Sequence, residues 1–119
     1  MTIAPHDPQA DRAARSWLAF VDAGNSDSSL ATASAGFRAK VTAAVWAQSL
    51  ASTRTQFGAA VHRVMKGARP VTRLPGSPDG NYIVMQFETD FANKKGAGET
   101  VALVHDPDGQ WRVTAYFIR

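Results

Sequence analysis

Two carboxylates two residues apart, Glu88 and Asp90 in the stretch "FETDFANKKG" (87–96), are the first residues whose spacing suggests chemistry. On a strand, positions i and i+2 share a face, so the pair could serve as general acid and base. Asp22, in "FVDAGN", is a further candidate acid near where a pocket mouth would lie. The histidines, His6, His62 and His105, show no HxxxH or HExxH spacing, so no metal site is expected. There is no cysteine, hence no thiol nucleophile, no disulfide and no thiolate zinc site. GxSxG, GxGxxG and GxxxxGK[ST] are all absent. No cofactor is expected, and no residue is assigned a catalytic role.

The elements that must carry these residues follow from periodicity. Asp7-Pro8 reads as an N-cap with proline at the first helical position. Ala10, Ala14, Trp17, Leu18 and Val21 then recur at helical spacing, Phe20 widens the stripe, and Gly24 fits the stop. A short helix is predicted through "DSSLATAS", broken at Gly36, with Phe37 and Val41 burying a further short turn. Thr42 caps a third helix that holds Trp46 and Leu50 and ends at Phe57-Gly58. From Ala60 the period becomes two. "VHRVMKGARPVTRL" reads as a strand with a bulge at Gly67 and Pro70 at an edge. "LPGSPDGN" is a loop, "YIVMQFETDF" a strand, "NKKGAG" a loop and "ETVALVH" a strand; "DPDG" is a tight turn before "QWRVTAYFIR". The expected fold is α+β: three N-terminal helices on one face of a curved, four-stranded antiparallel sheet. It forms one domain over 1–119, with 1–8 as a flexible N-terminus.

Alternation sorts the side chains. Ile83, Met85, Phe87, Thr89 and Phe91 share one face and Trp111, Val113, Ala115 and Phe117 join it, so the helices should cover that side. Glu88 and Asp90 then lie on the open side, opposite Arg63, Lys66, Arg69 or Arg112, where cross-strand pairing outweighs catalysis. On the covered side Thr89 and His105 are the polar groups expected, and Asp22 is expected to bond the turn backbone or pair with Arg38. A pocket between helices and sheet would be lined by Trp17, Phe20, Asp22, Phe37, Trp46, Phe87 and Phe117. An interface on the open face would use Tyr82, Val84, Glu88, Asp90, Arg112 and Tyr116.

Composition excludes several function classes. The 119 residues are 45% hydrophobic and 19% charged, ordinary values for a globular domain. Net charge is +3, yet no acid occurs between Asp27 and Asp79 while Arg38, Lys40, Arg54, Arg63, Lys66, Arg69 and Arg73 do. No aromatic platform interleaves this run, so internal pairing is expected rather than nucleic-acid binding. No apolar stretch is long enough to span a membrane. The start "MTIAPHDPQADRAA" lacks a basic segment followed by an apolar one. As it stands the chain points to the cytoplasm; with a leader removed it would point to the periplasm or beyond.

The segments "SWLAFVDAGN", "FRAKVTAAVWAQSL", "LPGSPDGNYIVMQFETDFANK", "ETVALV" and "GQWRVTAYFIR" resemble the bacterial family known as Domain of Unknown Function 4019, from about Arg15 to Arg119. The chain departs from that family's pattern at Ser26 and Leu30, where an aromatic pair is typical, and at Ala43, Ala44 and Val45, where Arg-Glu-Gln often precedes the tryptophan. The resemblance implies a small α+β domain, a cone like that of nuclear transport factor 2, and no particular activity. Together these readings point to a non-enzymatic interaction module, homodimeric through its sheet. The alternative is a carrier of a small apolar ligand in a helix–sheet cavity; a cone-fold enzyme using Asp22 or His105 ranks last.

Overall fold

The computed structural model describes residues 7–119. Of the segment 1–8 expected to be flexible, residues 1–6 lie outside the described residues; Asp7 and Pro8 instead open the first helix. Among the described residues four helices precede four strands: α1 (Pro8–Asp22), α2 (Ser26–Thr32), α3 (Ala35–Lys40), α4 (Ala43–Phe57), β1 (Ala60–Val71), β2 (Tyr82–Phe91), β3 (Lys94–His105) and β4 (Trp111–Ile118).

Each helix begins at a side-chain cap. Asp7 accepts from Gln9 N at 2.8 Å, Asn25 from Ser28 N, Ser34 from Phe37 N and Thr42 from Val45 N. Such caps satisfy amides that the first helical turn leaves without partners. Ser34 accounts for the difference from the expected three helices: it starts a separate helix where the sequence reading has only a turn around Phe37. Gly24, at φ +71°, ends the reversal after α1, a conformation that side-chain-bearing residues adopt at a cost.

The strands form one antiparallel meander in the order β1-β2-β3-β4. The helices cover one face, and Ile83, Met85, Phe87, Thr89 and Phe91 are buried beneath them, as alternation predicts. "NKKGAG" is not a loop: the hairpin turns at Ala92–Asn93 and β3 starts at Lys94. Gly96, at φ +68°, absorbs the irregularity beside Asp90.

Three bulges decide which side chains face inward. β1 carries an extra residue at Val61 and another at Lys66, next to the expected Gly67 position. The pairing therefore sets Arg63 opposite Thr89 and Met65 opposite Phe87, both on the helix side. In β4, Leu103 pairs with Val113 and Ala102 with Ala115, which leaves Thr114 extra. Beyond Thr114 the phase inverts. Tyr116 turns inward against the Trp17 ring at 5.3 Å, and Phe117 turns outward and is 58% exposed. The expectation had these two the other way round. The tertiary cause is α3: Ser34 N donates to Val113 O at 2.8 Å and Ser34 Oγ to Thr114 Oγ1 at 2.8 Å, which docks the helix start on the bulge.

The core is filled by rings meeting rings. Trp17, Phe37 and Trp46 pack with centroids 5.1–6.0 Å apart, distances at which aromatic edges and faces attract. Both indole N–H groups are anchored on one residue, Trp17 to Ser29 O and Trp46 to Ser29 Oγ, each at 2.8 Å. Of the residues expected to line a common pocket, Trp17, Phe37, Trp46 and Phe87 therefore come together in one core cluster, and the others lie outside it. Phe87 is 2% exposed in the core, Phe20 and Trp17 border a groove outside it with β4, and Phe117 is on the opposite face.

Candidate functional site

The helix–sheet layer holds an ionic network joined from five elements. Arg63 on β1 lies between Asp22, the last residue of α1, and Glu99 on β3. Its NH1 and NH2 donate to Asp22 Oδ2 and Oδ1 at 2.8 and 3.0 Å; its Nε and NH2 donate to Glu99 Oε1 and Oε2 at 2.6 and 3.2 Å. Thr89 Oγ1 on β2 donates to Glu99 Oε1 at 2.5 Å, and the Tyr116 hydroxyl on β4 donates to Glu99 Oε2. Glu99 and Thr89 are wholly buried.

This bonding is saturated. A carboxylate has about four lone-pair sites, and Glu99 receives four donors. Burial alone would lower the Arg63 guanidinium, but the hydrogen bonds and charges of Asp22 and Glu99 outweigh it and hold it above its usual range. Burial, the Glu99 charge and the hydrogen bond to it push the Tyr116 phenol well above its ordinary value. The adjoining crevice, between Asp22, Leu50, Gly58 and Tyr116, holds about 20 Å³, about the space of one water. With its acceptors occupied and no room for a substrate, the network's capacity is to hold α1 against the sheet and fix strand register.

Asp22 therefore finds Arg63, not Arg38, which instead donates to the carbonyls of Ala31 and Ala33. Arg63 leaves the open face where it was expected to meet Glu88 or Asp90. Glu99 escaped the sequence reading, although its phase with Val101 and Leu103 on one strand face was a signal for burial. Among the described residues no group of three or more His, Cys, Asp or Glu side chains could hold a metal.

The carboxylate pair Glu88 and Asp90 is on the helix-free side as alternation requires, but the two do not act together. Glu88 faces Lys66 at 3.8 Å with both side chains more than half exposed, a pairing worth about 0–1 kcal/mol. Asp90 Oδ1 accepts from Gly96 N at 2.9 Å and braces the β2–β3 hairpin. Arg112 is also committed locally, to Asp106 Oδ2 at 2.8 Å and to Asp108 by two bonds, at 3.0 and 2.8 Å. Those bonds from Arg112, with one from Gln110 N, draw the Asp108 carboxyl down to about 2. Tyr82 is 5% exposed, its hydroxyl bonded to Pro78 O. Of the expected interface set, Val84 and Glu88 keep an outward position without a side-chain hydrogen bond among the described residues, while Tyr116 turns to the helix side.

What the helix-free face presents instead is a mixture of small apolar and uncharged polar side chains between its charged ones. Reading across the sheet by register, one row is Arg69, Val84, Ala102 and Ala115; the next is Gly67, Gln86, Thr100 and Phe117; the third holds Val64, Glu88 and Gly98. Phe117 at 58% and Val64 at 43% are among the exposed large apolar side chains of the described residues.

A family model described as "Protein of unknown function (DUF4019)" matches residues 13–116. The chain belongs to that family. No curated protein and no solved structure matches it.

Proposed function

We propose that this chain is a non-enzymatic interaction module that pairs with a second copy of itself through the helix-free face of its sheet. The observation that carries the reading is Phe117: a phenylalanine turned outward by a bulge, 58% exposed, on a face whose neighbouring positions are the small or uncharged Gly67, Val84, Gly98, Ala115 and the hydrogen-bonded Gln86–Thr100 pair. An outward-facing aromatic ring among small, uncharged side chains is a feature of association surfaces.

Geometry supports a second copy as the occupant. Gly67 and Phe117 lie in one row on the two edge strands, β1 and β4. A two-fold axis along the strands, midway between β2 and β3, exchanges the edges and lays each Phe117 over the Gly67 of the mate. Among the described residues nothing lies within 4 Å of the position a Gly67 side chain would occupy, so the ring has space there. The face covers about 500 Å² per copy from strand spacing and rise, or about 1,000 Å² in total, at the small end for specific pairing. The dimer is accordingly weak and reversible.

Sedimentation equilibrium tests this. The expected mass rises above 12.8 kDa toward twice that value at high micromolar concentration, and Phe117→Glu returns it to the monomer with an unchanged circular dichroism spectrum. A wild-type chain that stays monomeric, or a Phe117→Glu chain that associates equally well, refutes the reading.

A further inference from the structure

The sheet end remote from the ion network carries an open cleft of about 860 Å³, bounded by the end of β1, the start of β2, the last rung of β3 and β4, and Asp7. That rung is six residues along β3 from Glu99, or about 20 Å at the usual strand rise. The volume falls within the range of small-molecule sites.

One wall is a prebuilt stack. His105 and Trp111 are cross-strand partners whose rings lie 4.6 Å apart and 20° from parallel. The indole plane is fixed because Trp111 Nε1 donates to Asp7 Oδ2 at 3.3 Å, and Asp7 is itself held as the cap of α1. His105 is exposed and borders the cleft, which offers imidazole surface to a further ring. Pro70 and Ile83 supply apolar walls, and Arg73 a cation. The anionic neighbour of Arg73 is Asp79 at 3.7 Å, with the two side chains 84% and 72% exposed. Such a pair contributes little and yields readily to a bidentate carboxylate.

We propose that this cleft binds a small planar aromatic carboxylate, with its ring extending the His105–Trp111 stack and its carboxylate on Arg73. The charges set the orientation. Asp7 repels an anion from the α1 side, so the carboxylate lies toward β1. The site is separate from the outward patch around Phe117, and either can exist without the other.

Titration with 2-naphthoate, followed through the Trp111 indole N–H resonance, tests the assignment. The expected result is a saturable shift, with 2-naphthamide and acetate each binding about ten-fold more weakly or worse, the scale of a lost charge-assisted bond or a lost stack. Arg73→Ala, at a solvent-exposed position, should weaken naphthoate about ten-fold with the fold intact by circular dichroism. No saturable shift up to ~10 mM ligand, which is weaker than small-molecule recognition requires, overturns the proposal. So does equal affinity for naphthoate and naphthamide, or an Arg73→Ala variant that binds as the wild type does.

Discussion

Replacing Arg63 with methionine removes the one cation between two carboxylates while leaving a side chain of similar length. The two acids respond differently. Asp22 is 32% exposed in its side chain and can recover hydration, whereas Glu99 is 0% exposed and cannot. Glu99 would keep only Thr89 and Tyr116 as donors, two of its four. Breaking a buried pair from one side costs about 3–5 kcal/mol, a large share of the roughly 5–15 kcal/mol that holds a domain of this size. With an unfolding entropy of about 2.1 cal/mol/K per residue, a loss of about 4 kcal/mol lowers the melting temperature by roughly 16 °C. Urea unfolding followed by far-ultraviolet circular dichroism reads the loss directly. The companion variant, Arg63→Met with Glu99→Leu, removes both charges and should recover most of the stability, because paired apolar replacements of buried ions are often near neutral. An Arg63→Met chain destabilised by less than about 1 kcal/mol would refute the idea that Glu99 depends on this cation. A double variant as unstable as the sum of the single ones would do the same.

Other consequences follow from individual contacts. Tyr116 has its folded-state value raised by burial and by Glu99, so its stabilisation is complete below pH 10 and is lost as pH rises further. Absorbance titration at alkaline pH should show one late phenolate transition that coincides with unfolding and is missing in Tyr116→Phe; an early, reversible ionisation of Tyr116 would contradict this. Asp108 should titrate at about 2 by carbonyl NMR and move back toward the ordinary aspartate range in Arg112→Gln. Its contribution is present above the ordinary value of 3.8 and fades as pH falls toward 2. Ser29→Ala leaves the buried Trp46 N–H without its acceptor and should cost about 1–3 kcal/mol, measured by the same urea assay. An effect below about 0.5 kcal/mol would mean that water replaces the hydroxyl.

What was legible in the sequence was whatever depends on near neighbours. Asp7, Thr42 and Gly24 mark helix ends because a cap bonds within three residues. β2 reads correctly because five apolar or hydroxyl side chains keep strict alternation over ten residues without a bulge of their own. The position of Glu88 and Asp90 on the helix-free side follows from that alternation. Glu99 could have been read in the same way, from its phase with Val101 and Leu103.

The rest was decided by contacts between distant segments. An extra residue in a strand inverts every side chain beyond it, and its location depends on the partner strand and on what docks there. Thr114 is such a residue, held by Ser34, which is 80 positions away in the chain. That contact exchanges Tyr116 and Phe117, taking one into the ion network and the other to the surface. Likewise the bulges in β1 bring Arg63 inward to Asp22, a partner 41 residues earlier. Local composition fixes neither contact, because the cost of burying a charge is known only once its counter-charges are in place. The sequence by itself determined most of the elements, α3 and the start of β3 excepted, and the face on which most of them pack. Tertiary structure decided which charges are buried together, and which phenylalanine is turned outward.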